Sequence, residues 1–386
     1  MKGICLFFFF LLAFNSRADH IIGGDIYYDD LGGGNYKFYI TIYRDCNAEG
    51  AWFDDPLKLA VYNNNNLIQN VDIFFPGYIT LPIDFNNPCA TAPTDVCVQR
   101  AIYEKTLNLP PVSGGYTVSY QRCCRGPNVM NIVNPDDTGL TLTTHVPGTE
   151  AGISSNSSPR FSNYPPTLLC VGEELVFDHS AIDPDGDELV YSLVSPYIGA
   201  SSFDPAPGQA PPPPYFPVQW VGGFNANSPL GPGSISSIDN NGMFTVNPSI
   251  IGLMVVGVRV QEYRNGQLIG ETIRDFLFKV FDCNITMQAI LPDQDELSSF
   301  ISYCQGLTVQ FENNSYGGTN YSWDFGVSGT NSDVSNSFTP IFTYPSPGDY
   351  VAQLIVNPGS ECTDTAYMNI TVNNPFSLSW EAPDSL

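Results

Sequence analysis

Three observations predict an all-β protein built from tandem immunoglobulin-like β-sandwich domains. No long segment repeats its apolar residues with a helical period, whereas short runs rich in Tyr, Phe, Val, Ile and Thr recur along the chain. Between them lie turn residues in abundance, 34 Gly and 32 Pro with frequent Asn, Ser and Thr clusters. Hydrophobic residues make up 43% of the chain, enough for real cores and against disorder. At 386 residues the chain exceeds one ordinary small domain, so two or three are expected. Only 14% of residues are charged, yet the net charge is -25. That imbalance argues against nucleic-acid binding, because the phosphate backbone would be repelled, and against docking on an anionic membrane through a basic patch.

Residues 1–18 read as a signal peptide. Lys2 gives the positive end, Ile4 to Phe14 the short apolar stretch, and Ser16-Arg17-Ala18 the cleavage site, so the mature chain starts at Asp19. No other stretch is apolar enough to span a bilayer, and the expected location is secreted or cell-surface. Of ten cysteines, Cys5 leaves with the signal and nine remain. An exported chain with so many is expected to be disulfide-bonded, and the CxxC pairs of a zinc site are absent. The odd count leaves one thiol free or paired with another chain.

A first, cysteine-rich β-sandwich domain is expected over residues 19–147. Gly32 to Asn35 is a turn leading into a strand over Tyr36 to Arg44. Leu57 to Tyr62 and Leu67 to Phe75 flank an Asn-rich turn as a hairpin, and Ala101 to Leu109 and Tyr116 to Arg122 are further strands. Cys89 and Cys97 are close enough to staple one loop, and Cys46 could join Cys123 or Cys124. A vicinal bond between Cys123 and Cys124 is the other possibility, and spacing does not choose. Were these two thiols free, Arg122 and Arg125 would favour their thiolates.

Residues 148–166, with Ser, Asn and Pro concentrated from Ser154 on, read as a linker. The second domain, 167–283, holds the most informative stretch of the chain. Asp183, Asp185 and Asp187 surround Pro184 and Gly186, and the alternating run Leu189 to Leu193 follows as a strand. Like charges this crowded repel unless water, backbone N–H groups or a cation offset them, and a hard, oxygen-loving Ca²⁺ is the natural cation. The same residues would equally make a solvated acidic turn. It is no EF-hand, since Gly186 comes too early and Val194 stands where the bidentate Glu belongs. Farther on come a Pro-rich loop (Phe203 to Pro217), the turn Asp239 to Gly242, and a hairpin of Met254 to Tyr263 with Thr272 to Phe281 about Arg264 to Gln267. Cys170 and Cys283 bracket this domain. A bond between them would close roughly 110 residues, about 4 to 5 kcal/mol in the chain-entropy picture.

A third domain is expected over 284–374, with strands at the spacing of a small sandwich and a Cys304–Cys362 bond. Residues 375–386 read as a linker or the opening of a further module. Catalytic signatures are not found: there is no Gly-x-Ser-x-Gly elbow, HExxH or Walker loop, and the neighbours Asp178 and His179 would point to opposite faces of a strand. Trp52, Phe53, Tyr215, Phe216 and Trp220 fall in turn-rich segments, where aromatic faces can stack on sugars or protein partners or else pack inward.

Three resemblances add to this reading. Tyr321-Ser-Trp-Asp-Phe-Gly326 with Phe342-Thr-Tyr-Pro-Ser-Pro-Gly-Asp-Tyr-Val351 resembles the PKD family of immunoglobulin-like sandwiches, which implies Trp323 in a core. Asp183 to Tyr191 and Asp239 to Phe244 resemble cadherin-like domains of bacterial surface proteins. That implies Ca²⁺ on Asp183, Asp185 and Asp187, with Glu173, Glu174 or Glu262 as further ligands. His20 to Asp25, Tyr43 to Cys46, Gln121 to Arg125 and Glu262 to Arg264 resemble exported PKD-domain-containing, gliding-motility-associated proteins of Bacteroidota, many secreted by the type IX route. The resemblance implies a non-enzymatic adhesion or scaffold protein with an extracellular protein or polysaccharide ligand. The alternative is a glycan-binding accessory region of a larger secreted hydrolase.

Overall fold

The computed structural model describes residues 21–48, 50, 52–82, 89, 96–283, 286–298 and 306–374. The segments expected as signal peptide and terminal linker, and Cys304, lie outside them. The structure is all-β, as predicted; among the described residues the helical elements are two short 3₁₀ turns. The chain forms two compact units, one of Met1–Asp84 with Thr94–Asp282, the other of Phe85–Pro93 with Cys283–Leu386.

In the first unit, β1 (Ile21–Gly32) and β2 (Asn35–Asp45) form a long hairpin. Its register sets Ile26 opposite Ile40 and Tyr28 opposite Phe38, so alternate residues enter one core. The expected Asn-rich hairpin is β3 (Leu57–Asn63) and β4 (Asn66–Ile73), with Asn64 supplying the positive φ of the turn. β5 (Ile79–Thr80), β6 (Val98–Asn108), β7 (Tyr116–Arg122) and β8 (Leu140–Val146) complete this half. After it come β9 (Arg160–Phe161), β10 (Leu169–Cys170), β11 (Leu175–Asp178), β12 (Ala181–Ile182) and β13 (Glu188–Val194). β14 (Ser236–Ile238) and β15 (Met243–Val246) lead to the long hairpin of β16 (Gly252–Arg264) and β17 (Gln267–Phe281).

The expected boundary at 148–166 is not a boundary between compact units. A twelve-stranded sheet runs β4-β3-β7-β8-β17-β1-β2-β6-β5, with β10 and β16 on β17 and β13 on β16. Two cores line it, one around Tyr28, Phe38, Leu59 and Tyr103, the other around Phe244, Met254, Phe276 and Phe278. One sheet serves both because β17 pairs with β1 and β8 as well as with β16. Gly23 makes that junction possible: a Cβ there would lie 1.9 Å from the Asp275 carbonyl oxygen. The supposed linker is woven in. Ser158 exchanges hydrogen bonds with the backbone of Tyr28, Ser157 Oγ accepts from Asp30 N–H, and β9 pairs with β12.

In the second unit, β18 (Thr308–Gln310) pairs with β21 (Ile341–Thr343), and β20 (Val334–Ser335), β19 (Tyr321–Asp324), β22 (Gly348–Val356) and β23 (Asp364–Val372) form a four-stranded sheet. Trp323 is fully buried beside Phe311 and Phe325, and its indole N–H donates to the Ser337 carbonyl at 2.9 Å. This is the core position that the resemblance implied.

The disulfides depart from the expected pairing. Cys97 bonds Cys46, not Cys89, because the β2–β6 register brings the ends of those strands together. Cys89 bonds Cys362, the residue assigned to Cys304, since 85–93 belongs to the second unit. Cys123 bonds Cys124 rather than Cys46, which removes the thiolate reading. Cys170 and Cys283 are both disulfide-bonded.

Candidate metal centre

The acidic turn begins where β12 ends. Asp183 Oδ1 accepts the N–H groups of Asp185 and Asp187 at 2.8 and 3.1 Å, closing an Asx-type turn over Pro184 and Gly186, whose φ of +79° suits glycine. Tyr191 anchors the approach, its hydroxyl accepting the Ala181 N–H at 2.9 Å. β13 starts at once and pairs antiparallel with β16, Leu189 opposite Glu262. This register delivers a fourth carboxylate to the turn. Across β16–β17, Glu262 faces Gly270, where a Cβ would stand 2.6 Å from its Oε2. The missing side chain leaves room for the buried carboxylate.

One carboxylate oxygen from each of Asp183, Asp185, Asp187 and Glu262 lies within 4.8 Å of the others. Oxygens bound to Ca²⁺ at about 2.3–2.6 Å stand at most about 5 Å apart across the ion, so this spacing fits a single site. Glu262 is wholly buried. Its Oε2 accepts from Asn156 at 3.1 Å and its carboxyl shares a side-chain hydrogen bond with Asp187, while Asp183 Oδ2 is buried without a hydrogen-bond partner. An orphaned Asp183 oxygen and a buried Glu262 carboxyl set against Asp187 concentrate negative charge in a poorly solvated place.

Arg264, two residues beyond Glu262, supplies part of it. Its guanidinium holds both oxygens of Asp187, at 2.7 and 2.5 Å, and stands 3.7 Å from Asp185. It also donates to Ser155 O and Asn156 Oδ1, while Ser157 N–H donates to Asp185 at 2.6 Å. Asp187 is held below the usual carboxylate range by the Arg264 hydrogen bond, and Arg264 is raised in return. Glu262 moves the other way. Burial first, then the Asp183 charge and the hydrogen bond to Asp187, push its carboxyl up to about 9 against the Asn156 hydrogen bond. Four acids thus meet one guanidinium, and without a cation Glu262 keeps a proton at neutral pH. All three aspartates chosen from the sequence converge here with Glu262; Glu173 and Glu174 are not in the cluster.

Other candidates fall elsewhere. His179 is buried among the rings of Phe161, Phe177 and Phe244, both nitrogens without a hydrogen-bond partner. Trp52 is 49% exposed, its ring capped by Arg44 and edged by Phe53 and Tyr78, whereas Trp220 is half-buried and donates to Ser195 Oγ. The motif stretches compared with exported surface proteins supply buried ion pairs near β1 and β17, Asp25 with Arg274 and Arg125 with Asp275. No helix among the described residues is long and apolar enough to cross a membrane, which says nothing of a β-barrel.

No curated protein matches the chain. Among solved structures, the I-band fragment I67–I69 from titin is 11% identical, with 90% of this chain and 99% of that chain covered at a TM-score of 0.16, too low to support an inference. Residues 301–380, which include the buried Trp323, match the PKD domain, so that stretch is similar to a module found in extracellular proteins.

Proposed function

We propose that the chain is a non-catalytic extracellular scaffold that spaces or presents binding surface in attachment, and that Ca²⁺ stiffens its first unit at Asp183, Asp185, Asp187 and Glu262. The carrying observation is a four-carboxylate cluster that includes the wholly buried Glu262 and the partnerless, buried Asp183 Oδ2. Disulfide-bonded β modules with a PKD-like segment support the placement outside a reducing cytoplasm. The motility connection rests on the sequence resemblance alone. A cation there would neutralise the turn and tie it to β16, holding β13, the 155–158 segment and β1 in one arrangement. Ca²⁺ suits the site better than Mg²⁺, because an irregular, partly carboxylate shell tolerates the larger ion and penalises strict octahedral geometry.

Thermal melts of the chain in CaCl₂ and in EDTA test this. At a free Ca²⁺ concentration of 100 Kd, the folded state gains about 2.7 kcal/mol, and the midpoint rises accordingly. Asp183→Asn should abolish the difference. An equal midpoint in both media would remove the calcium assignment. A scaffold role further predicts that cells lacking the chain attach poorly to surfaces while purified chain turns over no substrate.

A further inference from the structure

Strands β8 and β17 meet at a single residue pair, Thr144 with Thr272, and then diverge. The gap becomes a cleft of about 620 Å³, within the usual ligand-pocket range of roughly 300–1,000 Å³. We propose that this cleft binds a neutral saccharide.

The lining carries the argument. Thr117 from β7 and Thr143 from β8 offer hydroxyls at the lining beside the imidazole of His145, while Thr144 turns its buried Oγ1 to the other face. Burial holds that imidazole below its ordinary range, so it is neutral and can both donate and accept. Gln267 and Glu271 line the cleft from β17, and Glu150 from the turn after β8. Tyr197 and Tyr215 complete it, their ring centres 6.0 Å apart and inclined at 52°. The Tyr215 loop is pre-set. Pro211 to Pro214 restrict it, Ile198 N–H donates to Phe216 O, and Val218 N–H donates to Pro196 O, both at 2.8 Å.

A sugar ring presents close-set hydroxyls around its rim and C–H groups on its faces. Hydroxyl, carboxamide and carboxylate groups beside tyrosine rings and proline edges match both features. Among the described residues no Lys or Arg lines the cleft, whereas two carboxylates do. Sulfated and uronate sugars would therefore be repelled. Of the aromatic candidates from the sequence, Tyr215 is in the lining, whereas Trp52, Phe53, Phe216 and Trp220 are not.

The inference does not depend on the calcium assignment, although Gly270 borders both the cleft and Glu262. Titration calorimetry of the whole chain with neutral gluco-, manno-, galacto- and xylo-oligosaccharides, in CaCl₂ and again in EDTA, separates the two. Saturable binding of at least one neutral sugar is expected. Tyr215→Ala, and independently the exposed Gln267→Ala, should weaken it about tenfold or more, as removal of a central contact does. Trp52→Ala should leave affinity unchanged, and unaltered melting midpoints would show that the variants fold. Absence of binding by every neutral sugar up to about 10 mM, weaker than any useful affinity, would overturn the proposal. So would affinity that survives both cleft substitutions, or capture only of anionic polysaccharides or of peptides.

Discussion

Single buried groups set the protein's response to pH. His179 is depressed well below its ordinary 6.5, first by burial and then by the Arg274 charge. The unfolded chain therefore takes up a proton that the folded chain refuses. Stability is complete above about 6.5 and falls as the medium is acidified, by at most about 1.4 kcal/mol per pH unit. His179→Leu, close in volume, should cost less than about 1.5 kcal/mol at pH 7.5 and flatten that acid limb of the denaturation profile. Glu262 acts in the opposite sense. In EDTA its raised carboxyl stabilises the fold fully below the ordinary 4.5, and the contribution is lost as pH climbs toward about 9. Glu262→Gln should remove the metal-free decline between pH 7 and 9, read from melts at fixed ionic strength. The three aspartates were legible in the sequence because Pro184 and Gly186 mark their turn locally. Glu262 stood there only as one of three guesses, since its arrival depends on the β13–β16 register.

Among the elements, β17 has the most to hold together. It meets β16 along its length, β1 at Gly23 and Gly24, β8 at Thr144, and β10 in parallel. Where it meets β1, Arg125 pairs with Asp275, both side chains 1% exposed. Arg125→Met would strand a buried carboxylate and should cost about 3 to 5 kcal/mol in chemical denaturation; converting both partners to apolar residues should restore much of it. Hairpins such as β3–β4 and β16–β17 were readable because each carries its own turn signal. The β1–β17 pairing was not, because strands so distant in sequence share no local signal, and the Ser-rich stretch between them looks like a linker. Its serines prove to be hydrogen-bond partners for β1.

At the scale of the whole chain, strand composition and the Trp323 motif foretold the fold class and the second unit's core, while cysteine spacing misled. Nearness suggested Cys89 with Cys97, yet Cys89 bonds a residue 273 positions away. Cys89→Ser should cost the second unit about 2 to 5 kcal/mol, visible as a lowered melting midpoint of that unit. The match to the PKD domain begins at residue 301 and so omits Cys89. That module is therefore not a cassette that can be snipped from the chain: cut out along its family borders, it would carry a bereft sulfur at Cys362, and any graft of it into another protein must borrow a fragment from far upstream.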